Sequence, residues 1–211
     1  MKSVIVSGGE APSFELLKSE LDSSSLLICA DSGANCLYKY NMVPDFLLGD
    51  FDSIDKKVLE LFKNRGVEVQ SYPSEKNFTD TEAAFYKAVE MESDEIVFLG
   101  CTGTRLDHIM GSIGMLKKSL DKGIKAYIKD RNNIIQILHR TSIIKGTKGD
   151  TFSLYAYCDK VSNLNIRGAR YKLENYDLRL GDSRTVSNEF LSCDVEIAFE
   201  DGLLLLFRSH D

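Results

Sequence analysis

Short apolar runs punctuate the first part of the chain at 3–6, 26–30, 46–48, 67–71, 95–99 and 126–128. Stretches with helical spacing stand between them. In 11–21, Phe14, Leu17 and Leu21 share a face; in 56–65, Val58, Leu61 and Phe62 do, with Gly66 as a stop. The segments 81–91 and 108–120 repeat the pattern, the second closing at Gly123. Strands alternating with helices predict a mainly parallel sheet with helices on its faces.

From about residue 130 the period changes from helical to two-fold. Runs at 151–157, 161–166, 195–199 and 203–207 are separated by turn signals such as Lys148-Gly149-Asp150 and Asp201-Gly202. Asp-Gly between two apolar runs predicts a hairpin. One reading makes this region a further edge of the same sheet. With no helical period after residue 135, the pattern instead predicts a separate all-β domain. The expected organisation is therefore an α/β domain over 1–128 and a β domain over 129–211.

The 211 residues carry a net charge of −6, which disfavours a nucleic-acid partner and suits a site that recruits a metal before it binds an anion. The strongest apolar run, 203–207, is far short of the ~20 residues a membrane span needs. The apolar start Val4-Ile5-Val6 breaks off at Ser7-Gly8-Gly9, unlike a signal peptide, so a cytoplasmic location is expected. Five scattered cysteines with no C-x-x-C pair read as small core residues rather than a disulfide or zinc framework.

Three acidic stretches fall where a predicted strand gives way to a helix, the edge where open α/β sheets bind ligands. In Gly49-Asp50-Phe51-Asp52-Ser53, residues two apart on extended backbone point the same way, so Asp50 and Asp52 can face one hard cation. The competing reading makes Asp52 or Ser53 a helix cap, which leaves Asp50 unexplained. Thr79-Asp80-Thr81-Glu82 fits a capping box with Glu82 reaching back to Thr79, and spacing alone favours that reading; Lys76 just before it is placed to hold a phosphate. Thr104-x-x-Asp107 has the same double reading, and Arg105 in the polar loop before it suits a polyphosphate at a helix N-terminus. The loops at 7–9 and 30–35, the latter with Asp31 and Asn35, hold small residues that let a nucleotide approach the backbone. Near the C-terminus, Ser187 and Asn188 offer hydrogen bonds to a ring nitrogen or amine, with Phe190 as an apolar contact.

Taken in order, Asp31-Ser32-Gly33-Ala34-Asn35, Pro44-Asp45-Phe46 through Ser53, Lys76 through Glu82, Arg105-Leu106-Asp107-His108 and Ser187-Asn188 closely resemble the thiamine pyrophosphokinase family over nearly the whole chain. The resemblance implies a catalytic α/β domain and a β-sandwich that binds vitamin B1. It further implies a homodimer, with thiamine bound where one subunit's catalytic domain meets the other's β domain. The implied reaction moves pyrophosphate from ATP to the thiamine hydroxyl. Asp50, Asp52, Asp80 and Asp107 fall on the family's acidic positions. Asp50, Asp52 and Asp107 are expected to hold Mg2+, and Asp31, Asn35, Lys76, Thr79, Arg105, Ser187 and Asn188 to contact substrates. One departure stands out: some relatives stack a C-terminal tryptophan on thiamine, and this chain has no tryptophan. Two other readings use the same residues, a D-x-D nucleotide-sugar or nucleotidyl transferase and a non-catalytic thiamine or nucleotide sensor.

Overall fold

The computed structural model describes residues 1–210; Asp211, the last residue of the expected β domain, lies outside the described residues. The chain forms two compact units, Met1–Arg131 and a second beginning at Asn132.

The first unit alternates strand and helix throughout: β1 (Lys2–Val6), α1 (Phe14–Glu20), β2 (Leu26–Ala30), α2 (Gly33–Lys39), β3 (Phe46–Gly49), α3 (Lys56–Asn64), β4 (Glu68–Ser71), α4 (Asp80–Glu90), β5 (Glu95–Leu99), α5 (Leu106–Asp121) and β6 (Lys125–Lys129). The strands pair in the order β6-β5-β1-β2-β3-β4, every pair parallel. Burial on both faces explains why β1, β2, β3 and β5 read as continuous apolar runs. Val4, Val6, Cys29, Leu47, Val97 and Leu99 pack on one face with Leu17, Leu37, Val58 and Phe62. Residues of opposite parity such as Ile5, Ile28, Leu48 and Phe98 are buried on the other, where α4 crosses β1, β2 and β3. The chain builds β2, β3 and β4 outward on one side of β1, then returns to lay β5 on the other. The order of connection therefore reverses between β1 and β5, and a ligand crevice is expected at the strand exits there.

The second unit contains β7 (Asn133–Leu138), β8 (Ser142–Lys145), β9 (Thr151–Ala156), β10 (Lys160–Arg167), β11 (Leu173–Arg179), β12 (Asn188–Glu189), β13 (Asp194–Ala198) and β14 (Leu204–Ser209). They form two antiparallel sheets, β12-β9-β14-β7 and β11-β10-β13-β8. Phe152, Leu154, Leu204 and Leu206 from the first share one core with Val161, Leu164, Val195 and Ile197 from the second, which makes this a β-sandwich. The hairpin expected at Asp201-Gly202 is not formed, because β13 and β14 belong to different sheets. Gly202 instead lies so close to Lys160 and Val161 that a side chain there would collide with them, and Ser162 N–H donates to the Asp201 carbonyl at 2.9 Å. The turn thus carries the chain across the sandwich. Phe190, expected to face a ligand, is fully buried against Phe152 with ring centroids 5.2 Å apart. Among the described residues no helix is long and apolar enough to cross a membrane.

Candidate active site

The exits of β1, β2 and β5 interlock backbone on backbone. Ser7, Gly9 and Glu10 donate their N–H groups to the carbonyls of Leu99, Gly100 and Thr102 at 2.9, 2.7 and 2.7 Å. A side chain on Gly9 would strike the Gly100 and Thr102 carbonyls, one on Gly33 the Val6 carbonyl, and one on Gly100 the Ser7 carbonyl. The small residues that the sequence reading kept for nucleotide approach are thus used first by the chain's own backbone. Thr102 Oγ1 is buried at this junction without a hydrogen-bond partner.

Beside the junction lies an acidic cluster. Asp31 leaves β2 with a positive φ of 43° and donates its N–H to the Leu48 carbonyl at 2.8 Å. Gly49 lies so near Asp31 that a Cβ there would sit 3.0 Å from the Asp31 Cβ, so only glycine lets the β2 and β3 exits approach this closely. One oxygen from each of Asp31, Asp50 and Asp52 lies within 4.8 Å of the other two. Helix α3 is capped by Asp55, which accepts the Lys57 N–H at 2.8 Å, so the cap reading of Asp52 and Ser53 is excluded. Asn35 braces this loop, accepting the Asp55 N–H at 3.0 Å and donating to the Ser53 carbonyl at 3.4 Å.

Asp31 is 8% exposed and its Oδ1 has no hydrogen-bond partner. Burial pushes its carboxyl above the ordinary range; the Ser32 N–H opposes this, and Asp80, Asp52 and Asp50 add to it. Burial also works against ionisation of Asp50, but the Asp52 N–H, Lys76 and Ser74 outweigh it and hold that carboxyl low. An ionised, unpartnered carboxylate beside two others is costly unless a cation meets it. Since the native state binds the Asp31 proton more tightly than the unfolded chain, stability falls as pH rises through the unfolded value of about 3.9 and on through the higher native one. Asp31→Asn should therefore melt a few degrees higher than the parent at pH 7 in chelator, with the gain vanishing below about pH 3. Thermal melts across pH check this, and a lower melting temperature at pH 7 would refute it.

Lys76 enters the cluster from the loop after β4. Its Nζ lies 2.8 Å from Asp80 Oδ1 and 3.7 Å from Asp50 Oδ2. Burial works against its charge, but Asp80 first, then Asp50 and Asp31, raise its pKa, so it stays cationic. Tyr72 and Phe78 close the loop edge to face at 5.4 Å. Thr79 caps α4 by accepting the Glu82 N–H at 3.2 Å, but Glu82 pairs with Lys118 instead of reaching back, so only half of the expected capping box forms. Ser7 and Thr81 hydroxyls meet at 2.9 Å and tie the start of α4 to the β1 exit.

Asp107 stands apart. It is exposed on the first turn of α5, where Arg105 binds it twice, at 2.7 and 3.3 Å. The N-cap of α5 is Arg105 without a side-chain capping bond, so the Thr104-based box is absent. Among the described residues, the one acidic group spaced to hold an ion is Asp31, Asp50 and Asp52. Asp31 stands in this set in place of the expected Asp107 because of its left-handed backbone and the close approach of β3, neither of which residue spacing carries.

In the β unit, Ser187 is exposed with a positive φ of 56° and donates its N–H to Ser153 Oγ at 2.9 Å. Asn188 is buried and its amide is engaged. Oδ1 accepts from Tyr171 N at 3.0 Å and Glu189 N at 2.9 Å, and Nδ2 donates to the Tyr171 carbonyl at 2.8 Å. Asn188 thereby fixes Tyr171 at a cavity of about 460 Å³ also lined by Ile166, Leu173, Arg184 and Thr185.

A family model described as the thiamin pyrophosphokinase catalytic domain matches residues 17–128, and one described as its vitamin B1 binding domain matches 134–204. A curated relative, thiamine pyrophosphokinase of Bacillus subtilis, is 30% identical over 214 residues, covering 100% of both chains. The crystal structure of thiamine pyrophosphokinase from Bacillus subtilis superposes with a TM-score of 0.90 at 28% identity over 100% of both chains. That of Geobacillus thermodenitrificans gives 0.86 at 28% identity over 100% of this chain and 98% of the other.

Proposed function

The chain belongs to the thiamine pyrophosphokinase family, and from that premise we infer that it transfers pyrophosphate from ATP to the hydroxyl of thiamine, giving thiamine diphosphate and AMP. The observation that carries the chemistry is the buried Asp31 carboxylate, one oxygen of it without a hydrogen-bond partner, grouped with Asp50 and Asp52 beside the reversal point of the parallel sheet. This donor set fits a hard divalent cation: all oxygen, three carboxylates, one of them out of water. Asp31, Asp50 and Asp52 would hold Mg2+, which when bound supplies charge neutralisation and polarisation of phosphate oxygens. Asp107 is already committed to Arg105, and we assign it to positioning that guanidinium toward the phosphates rather than to the metal.

The thiamine oxygen forms a new bond to the β-phosphorus while the bond from that phosphorus to the AMP oxygen breaks, and the hydroxyl loses its proton. Such transfer asks the protein for positioning and electrostatics. Lys76 and Arg105 supply cationic charge to the transferring group. Asp31 and Asp50, one on each of two braced loops, fix where the phosphates rest. In the β unit, the exposed Ser187 hydroxyl is assigned to hydrogen-bonding thiamine, and Asn188 to holding Tyr171 at the cavity wall. We further propose that the active species is a homodimer that shares the thiamine site between subunits, which sedimentation of the active preparation checks.

Incubation with ATP, magnesium and thiamine should release AMP and thiamine diphosphate in equal amounts, and chelator should stop both. ADP with thiamine monophosphate would place attack at the γ-phosphorus and overturn the assignment. Thiamine binding without product would overturn catalysis.

A further inference from the structure

We propose that Lys76 is the resident counter-cation of the acidic cluster, and that Asp80 is a positioning residue that keeps Lys76 beside the cluster when a divalent cation takes Asp50 away from it. The inference rests on the metal reading above. Four carboxylates converge here, those of Asp31, Asp50, Asp52 and Asp80. Among the ion pairs of the described residues, the one cation that meets two of them is Lys76. Its side chain is only 8% exposed, so solvent does little to screen it.

The two contacts are unequal. Nζ sits 2.8 Å from Asp80 but 3.7 Å from Asp50. Asp80 is the anchor, since Thr79 caps the helix that begins at Asp80 and the Ser7–Thr81 bond pins the same turn. Asp50 is the looser partner, and it also belongs to the set spaced to hold an ion. A divalent cation therefore competes with the ammonium for Asp50 and not for Asp80. After the exchange Lys76 would keep Asp80 as its partner and so stay beside the cluster, where it would meet a bound polyphosphate. Two consequences follow. Without a polyphosphate, Lys76 opposes metal binding. With one, Lys76 favours it, because the added phosphate charge answers both cations.

The test is Mn2+ binding to the chelator-stripped full-length protein, read by the electron paramagnetic resonance of free Mn2+, with and without a non-hydrolysable ATP analogue. K76M should bind Mn2+ alone about tenfold more tightly than the parent and should lose most of the tightening that the analogue gives the parent. K76R keeps the charge and should stay within about twofold of the parent with Mn2+ alone; it also serves if K76M does not fold. Equal or weaker Mn2+ binding by folded K76M would overturn the proposal, as would K76R binding like a neutral variant. Failure of the metal reading looks different: the parent and D50N would then bind Mn2+ equally poorly in every arm.

Discussion

Asp50→Asn is expected to fold and to lose turnover by about 10³-fold. The change keeps the shape of the side chain and removes its charge. The loss is expected to be large because Asp50 serves two cations: its carboxylate is in the set with Asp31 and Asp52, and its Oδ2 faces Lys76. An amide leaves the cation with two carboxylates and the lysine with one. The fold has little to lose, since Asp50 caps no helix, and a charge is removed from beside Asp31, whose own carboxyl is already disfavoured. Stability should stay within about 1 kcal/mol of the parent. Rates of AMP release at saturating magnesium, set beside thermal melts, measure both halves. Near parental rates would show that Asp50 is not a metal ligand, and a collapsed melt would show that it is structural.

The second large effect is on stability. Gly100→Ala should cost about 3 kcal/mol and impair ATP use in the fraction that folds. Gly100 has a φ of +65°, and a methyl group there would strike the carbonyl of Ser7, a residue whose own N–H is pinned to Leu99 of β5. The obstacle is backbone, so it cannot move aside as a flexible side chain would. Gly66→Ala is the internal control. It has a φ of +79° but nothing within 4 Å of the added carbon, so it should bear only the conformational cost of about 1 kcal/mol. Chemical denaturation of both variants separates collision from conformation. Equal losses would mean that the loop junction has slack that the backbone contacts do not suggest.

Legibility in the sequence followed physical strength. The strands β1, β2, β3 and β5 are covered on both faces and could be read from apolar runs alone. Helix α2 is not legible, since it has seven residues, begins at a glycine inside the loop expected at 30–35 and lacks a capping bond from Ser32. In the β unit, β9 and β13 alternate cleanly and β14 opens on a continuous apolar run, whereas β11 runs Leu-Glu-Asn-Tyr-Asp-Leu-Arg and pairs with β10 through two register shifts. Which sheet each strand joins is a long-range property, and Asp201-Gly202 misled for that reason. At the site, the D-x-D spacing exposed Asp50 and Asp52 as a pair. Asp31 reads from sequence as a substrate contact and not as a third member of that set, because its approach to them is made by tertiary contact with Gly49. Asn188 looked like a ligand contact, and only its three hydrogen bonds disclose a bracing role.

The strand order also sets a sequence of assembly. β1 is made before the other strands of its sheet and lies inside it, with Lys2 opposite Glu95 of β5 and Ser3 opposite Leu26 of β2. During synthesis β2, β3 and β4 can line up beside β1 while its other edge waits for a segment that begins at residue 95. The loop that will lock against Gly100 is thus translated well before its partner and stays open until β5 arrives. A nascent chain stopped short of β5 would carry Asp31, Asp50 and Asp52 yet leave one edge of β1 unpaired, open to another strand.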